Sequence, residues 1–204
     1  MPEAAAALRV VPLTGAAIAP VLEALADLRI RVFRDYPYLY DGDRDYEARY
    51  LERFAAAPEA LLAAAFEGGE LVGAATALPL VHEHDDFVRP FERHGIDPGA
   101  VFYLAESVLL PAYRGRGVGH AFFDEREAAG RRLGYTTAAF CAVVRAADDP
   151  RRPAGYRPLD AFWRKRGYRP VDGLTTTFGW KELGAAREET AQPMQFWLRQ
   201  LEPR

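Results

Sequence analysis

The clearest chemistry in this 204-residue sequence lies at Arg114-Gly115-Arg116-Gly117-Val118-Gly119, between an apolar run ending at Leu110 and a helical pattern reaching Leu133. Three glycines at a strand-to-helix turn permit positive φ and let a ligand approach the backbone closely. The first helical turn adds unpaired N–H groups and a partial positive charge. Together they make an anion site suited to phosphate. Arg114 and Arg116 can add charge or lie along the ligand's exterior. A Lys-Ser/Thr phosphate loop is absent, and the alternating glycines come after a hairpin instead of opening an early βαβ unit with Gly-x-Gly-x-x-Gly spacing. An unrelated nucleotide-binding domain, taking ATP or NAD, is the competing reading. A plain tight turn seldom needs three glycines.

Glu106 interrupts the apolar run Val101–Leu110. Desolvation of a carboxylate inside such a run favours its protonated form and suits a general base. The structural alternative is a carboxylate paired with an Arg or anchoring loop backbone. Cys141 lies in the run Thr136–Val144. It reads as a small buried apolar residue in preference to a covalent nucleophile. His82-x-His84 with Asp85 and Asp86 has a spacing that suits a metal only on a strand face. This segment reads as loop without further ligands, so no metal is expected. His120 either touches phosphate or occupies the surface.

Arg114-x-x-Gly117-x-Gly119 after Leu109-Leu110-Pro111 is similar to the acyl-CoA-binding motif of the GNAT superfamily of N-acetyltransferases, and the element order resembles that fold along the whole chain. The resemblance implies that amides from about Arg116 to Gly119 hold the acetyl-CoA pyrophosphate, with Arg114, Gly115 and Val118 in the same cradle. It implies that Val108, Leu109 and Leu110 pair with the pantetheine arm, and that a gap opens between this strand and Thr136–Val144. Glu106 matches a glutamate common in the motif. The first two helices and their connection wall the acceptor side, so Tyr36, Tyr38, Tyr40, Tyr46 and Tyr50 either line its pocket or pack with hydroxyls at the surface. The family's usual general-acid Tyr, four residues before Gly167-Tyr168, is replaced by Trp163, whose indole cannot act as an acid near neutrality. Tyr156 is the substitute candidate, unless the thiolate leaves unaided.

The elements that must position these groups are read from periodicity. Leu8–Leu13 reads as a strand, with Thr14 able to cap the element after it. A stripe at Ile18, Val21, Leu22, Leu25, Leu28, Val32 and Phe33 predicts a helix. Asp43–Ala57 predicts a second helix, ended by Pro58. Leu61–Phe66 and Leu71–Leu80 around Gly68-Gly69 predict a hairpin. A polar connection spans His82–Gly99, a length that is functional or carries a short helix. Then come a continuous strand Val101–Leu110, the glycine loop, a helix Val118–Leu133, a strand Thr136–Val144, a loop Ala146–Pro158 and a short helix Leu159–Arg166. Leu174–Lys181 and Met194–Leu201 end the chain as strands. The fold class is α/β with a mixed sheet, a single GNAT-like domain over residues 1–204. The flat, apolar last strand invites pairing with a second chain, so a homodimer is a candidate.

Half of the residues are hydrophobic and 27% are charged, which argues against disorder. A formal net charge of −3 gives no footprint for a nucleic-acid partner. One cysteine excludes an internal disulfide framework. No apolar stretch is long enough for a membrane span, and Met1-Pro2-Glu3 lacks the basic start of a secretory signal, so a cytoplasmic location is expected. Lys occurs only at 165 and 181 among many Ala, which points to a GC-rich bacterial genome. The resulting expectation is an acetyl-CoA-dependent N-acetyltransferase acting on a small-molecule amine or peptide by direct attack in a ternary complex. The alternative is a non-catalytic acyl-CoA-binding sensor or assembly subunit.

Overall fold

In the computed structural model, which describes residues 7–186 and 189–202, the chain builds an eight-stranded mixed sheet with helices on both faces. Met1-Pro2-Glu3 lies outside the described residues. Strand β1 (Arg9–Thr14) pairs antiparallel with β2 (Leu61–Glu67), and β2 with β3 (Glu70–Pro79) across the Gly68-Gly69 turn. Strand β4 (Val101–Tyr103) lies antiparallel to β3 and parallel to β6 (Thr137–Val143). Strand β5 (Ser107–Leu109) pairs with β3 alone. Strand β8 (Thr190–Gln200) sits between β6 and β7 (Arg169–Trp180), so the order is β1-β2-β3-β4-β6-β8-β7. Both edges of β8 are therefore occupied, and the expectation that the last strand is open for pairing is corrected. Antiparallel return of the chain after β7 buries it, leaving β7 at that end of the sheet. Among the described residues no helix is long and apolar enough to cross a membrane.

The helices are α1 (Leu22–Phe33), α2 (Arg44–Ala56), α3 (Asp85–Arg93), α4 (Val118–Leu133) and α5 (Asp160–Lys165). Two short 3-10 turns, Gly15–Ala17 and Ala19–Val21, precede α1, and Thr14 makes no side-chain cap. Pro20 is the physical reason for the later start: it supplies no N–H for the i→i−4 bond to Ala16 that an α-helix would make there. Asp43 does cap α2, accepting from the Tyr46 amide at 2.8 Å. The polar connection contains α3, capped by His84.

Alternating side chains divide the core into two layers. Leu25 and Leu28 of α1, Leu51 and Phe54 of α2, and Phe87 and Phe91 of α3 pack on one face of the sheet. Phe122, Phe123 and Ala129 of α4 pack on the other, with Phe140, Tyr168 and Trp197. Each fully buried apolar side chain contributes about 1.5–3 kcal/mol, so both layers are needed to hold the sheet between them.

The continuous strand expected over Val101–Leu110 is broken. Leu78 pairs with Tyr103, whereas Ala75 pairs with Ser107, so one extra residue is inserted opposite Thr76. Thr76 accepts from the Ala105 amide and donates to the Glu106 carbonyl, both at 3.1 Å, which is a β-bulge. The buried Arg126 of α4 steadies it, donating to the carbonyls of Glu106 (3.2 Å) and Thr76 (3.3 Å) and to Ser107 Oγ (3.0 Å). The bulge has two consequences. Strict alternation from Tyr103, which faces α1 and α2, would send Glu106 to the α4 face; the extra residue returns it to the α1/α2 face. The ladder to β6 also ends there, with the Leu104 amide donating to the Ala139 carbonyl at 2.7 Å. Beyond that point β5 follows β3 while β6 follows β8, and the sheet splays open.

Candidate active site

Glu106 stands at the head of this gap and does not stand alone. Arg29, on the buried stripe of α1, reaches it with Nη1 to Oε1 at 2.5 Å, and Arg29 Nε also binds Glu47 of α2. Tyr50 donates its hydroxyl to Glu106 Oε2 at 3.0 Å, and the Arg29 guanidinium stacks over the Tyr50 ring at 4.5 Å. All of these side chains are largely withdrawn from water: Glu47 is fully buried, while Arg29 and Glu106 retain 8% and 9% exposure. Two carboxylates beside it hold the Arg29 guanidinium charged in spite of burial, which by itself would favour losing the proton. Arg29 Nη1 and Glu106 Oε1 meet as an ion pair outside hydrogen-bond alignment.

A second carboxyl group, Glu83, lies just past the 3-10 turn that ends β3. Its partner is the next amide: His84 N donates to Oε1 at 3.0 Å. Burial pushes its pKa up to about 7, and the charge on Glu106 pushes the same way. The His84 amide and the guanidinia of Arg53 and Arg29 oppose the rise. A carboxyl group that titrates near neutrality in a cleft has the property a general base requires. In the sequence it was one acidic residue in a polar connection.

Glu83 and Glu106 both face a cavity of about 250 Å³. Ten of its lining residues are aromatic, among them Tyr38, Tyr40 and Tyr50 from the first two helices and their connection, Tyr103 from β4, and Phe178 and Trp180 from β7. Tyr38, Tyr40, Tyr46 and Tyr50 thus line a pocket, as one of the two readings expected, while Tyr36 does not. The Tyr36–Tyr40 connection is pinned from several sides. Arg145 donates to the carbonyls of Pro37 (2.6 Å) and Tyr38 (3.1 Å), and Trp180 Nε1 donates to Tyr38 at 2.9 Å. Arg145 also binds Glu182, which bridges back to Tyr40. The aromatic wall is therefore held by the chain's own hydrogen bonds.

At the other end of the gap lies the glycine loop. Gly115 and Gly117 adopt φ of +76° and +84°, and Gly117 opens α4. Among the described residues the amides from Gly115 to Gly119 find no acceptor, whereas His120 and Ala121 donate to the Gly117 carbonyl. Gly119 is already helical, and a Cβ there would meet only Phe162 Cζ, at an ordinary 3.7 Å. Neither the backbone nor the chain's own packing demands a glycine at 119. Arg116 is tied to Glu67 at 3.0 Å and lies over Tyr113, while Arg114 is exposed. Ser107 and Leu109 leave the far edge of β5 open beside this loop.

The remaining sequence candidates separate from the site. Tyr156 is not among the cavity residues; it packs edge-on against Tyr36 with centroids 4.7 Å apart. Trp163 belongs to the α4-side core, packed on Phe140 and Trp197 at 4.9 and 5.1 Å. Cys141 lines the cavity, but burial raises its thiol so that the thiolate is disfavoured. His82 and His84 also line it. Among the described residues no group of three His, Cys, Asp or Glu is placed to hold a metal. His120 packs edge-on against Phe162, within 3.3 Å of Arg166.

The sequence model of the Acetyltransferase (GNAT) family matches residues 22–156, which span the α1/α2 wall, the splayed strands and the glycine loop. The chain belongs to the GNAT acetyltransferase family. Solved structures agree in fold. A protein of Acinetobacter baylyi ADP1 assigned as an acetyltransferase superposes with a TM-score of 0.62 at 12% identity, covering 98% of this chain and 96% of its own. A ribosomal-protein-alanine N-acetyltransferase from Brucella melitensis gives 0.58 at 17%, covering 96% and 99%. An aminoglycoside 6'-acetyltransferase type Ii gives 0.56 at 18%, covering 95% and 99%. No curated protein sequence matches. Membership makes this GNAT chain an acetyl-transfer enzyme, and at these identities the structural neighbours speak for the fold alone.

Proposed function

We propose that the protein, acting as one domain over residues 1–204, transfers an acetyl group from acetyl-CoA to the nitrogen of an amine by direct attack. The observation that carries this reading is the bulge-made gap, with a row of free amides at one end and a carboxylate-bearing cavity at the other. The free amides of Gly115–Gly119 at the start of α4 fit a pyrophosphate, as oriented N–H groups and a helix N-terminus favour anions. Val108–Leu110 on the open edge of β5 would hold the pantetheine arm. Acetyl-CoA held there supplies an acetyl thioester, whose thiolate leaving group is a fair one and needs no dedicated acid.

The chain's own groups do the rest. Glu106, fixed by Arg29 and Tyr50, orients the acceptor's ammonium. Glu83 takes its proton and leaves the amine nucleophilic. The pinned aromatic wall fixes the direction of approach, and orientation of this kind supplies much of the acceleration in a two-substrate transfer. Cys141 is kept as a thiol, which supports transfer without an acetyl-enzyme. Trp163 lies in the core and Tyr156 off the cavity, which leaves the proton chemistry with the carboxylates.

Thermal shift tests the cofactor. Ligand at a hundred times its dissociation constant stabilises by about 2.7 kcal/mol, and for a chain of this size that raises Tm by roughly 5–10 °C. The expected result is a shift with acetyl-CoA and none with ATP or NAD; a shift with ATP or NAD alone overturns the reading. Gly119→Ala sharpens the test. Its Cβ is accommodated and helix propensity improves by about 0.8–1 kcal/mol, so Tm of the free protein holds or rises. Its acetyl-CoA affinity falls at least about tenfold, since one methyl group stands where the phosphate must approach. Calorimetric titration giving unchanged affinity would remove the amide row from the cofactor site.

A further inference from the structure

The cavity has a chemistry of its own, which narrows the acceptor. Its lining is rich in aromatic rings, and its two carboxyl groups, Glu83 from the end of β3 and Glu106 from the bulge, are near enough for the charge of Glu106 to act on Glu83. The cationic group deepest in it, Arg29, is matched by Glu47 and Glu106, so the carboxylates outnumber it. Arg53, the other guanidinium of the lining, is exposed on α2. Such a site favours one positive charge placed at the carboxylates, where aromatic faces add cation–π attraction. It disfavours a second charge, which would be desolvated against rings without a partner.

We propose that the acceptor is a primary amine on a single aromatic or compact apolar body, its ammonium between Glu83 and Glu106 and its body against Phe178, Trp180 and Tyr38. This inference rests on the acetyl-transfer reading. Two features support an ordered pocket in preference to a collapsed one. Arg145 and Trp180 anchor the Tyr36–Tyr40 connection from β6 onward and from β7. Arg29 and the Tyr50 hydroxyl hold Glu106 in place at the acidic end.

The test uses the wild-type protein with saturating acetyl-CoA and four probes: 2-phenylethylamine, spermidine, kanamycin and a peptide beginning with alanine. Thiol release is followed, and products are checked by mass spectrometry. The expected kcat/KM for 2-phenylethylamine exceeds each of the others by at least about 100-fold, the scale at which a well-filled apolar pocket discriminates. Comparable or better acetylation of any other probe overturns the acceptor class and leaves acetyl transfer standing. If none of the four is acetylated, thermal shift decides. A response to acetyl-CoA without one to 2-phenylethylamine overturns the class, and no response to acetyl-CoA overturns the functional reading beneath it. Phe178→Ser gives a second check: kcat/KM for 2-phenylethylamine falls about tenfold or more, with little change for n-propylamine. Equal losses for both amines would show that the aromatic wall does not read the acceptor.

Discussion

Glu83→Gln lowers kcat/KM by about 10²–10⁴-fold at neutral pH, the range assigned to a positioned general base. The reason lies in the environment of the group. Burial and the neighbouring charge of Glu106 raise the Glu83 carboxyl to about 7, against the opposing His84 amide and the guanidinia of Arg53 and Arg29. A base must be ionised to accept a proton, so wild-type kcat/KM climbs as pH rises through about 7 and levels off above it. In Glu83→Gln that acid limb disappears, and the residual rate is nearly flat with pH. Persistence of the limb would move the base to His82 or His84, which line the same cavity. Stability carries the opposite sign. The folded-state pKa lies above the unfolded value of 4.5, so Glu83 favours the fold below the unfolded value. That contribution is lost as pH rises through about 7. Glu83→Gln is therefore relatively more stable than wild type above pH 7, and thermal melts at pH 5.5 and 8 read the difference. A variant that is inactive and also less stable at pH 8 would indicate a structural role.

The glycine loop was legible because its information is local: Gly115 and Gly117 at positive φ, a strand before and a helix after determine a backbone shape whatever the rest of the chain does. The hairpin, α2 and its Asp43 cap were legible for the same reason. Glu106 was found as a residue, but its setting was not. Val101–Leu110 reads as one apolar run, and nothing in it marks the inserted residue opposite Thr76. The bulge depends on Arg126, 20 positions later in the chain. Period-2 reasoning alone therefore puts Glu106 on the wrong face. The alternative of a carboxylate paired with an Arg is what the structure shows, with Arg29 and Tyr50 reaching Glu106 from two helices; that alternative names no particular Arg.

A signal for Arg29 was present in the sequence. It lies four residues from both Leu25 and Phe33, a charged residue on the buried stripe of α1. Glu47 stands likewise four before Leu51 on α2. Charged residues at core spacing on two adjacent helices announce a buried pair. Glu83 offered no such signal, since its environment forms only when β3, the α2 face and the bulge come together. The aromatic residues at 36–40 were ambiguous for a related reason: whether Tyr38 and Tyr40 line a pocket depends on Arg145 and Trp180, more than a hundred residues away in the chain.

Arg29→Leu destabilises the protein by about 3–5 kcal/mol, the cost of leaving a buried charge without its partner. Here two carboxylates are stranded, Glu47 fully buried and Glu106 nearly so. For a chain near 200 residues, this lowers Tm by roughly 6–20 °C. The double variant Arg29→Leu/Glu47→Gln separates the charge from the packing. It removes one stranded carboxylate and recovers at least about 1 kcal/mol relative to the sum of the single changes, as contacting members of one network do. Activity does not recover with it, because Glu106 still lacks the guanidinium that orients it. Arg29→Lys resolves the last ambiguity. A lysine keeps the charge but cannot address two carboxylates with a planar fork. Its Tm lies between wild type and Arg29→Leu, and its acceptor KM rises more than its acetyl-CoA affinity changes. A Lys variant equal to wild type in both would mean that charge alone suffices at this position. A Leu variant within about 2 °C of wild type would mean that water compensates the carboxylates and that the network does not hold Glu106 in place.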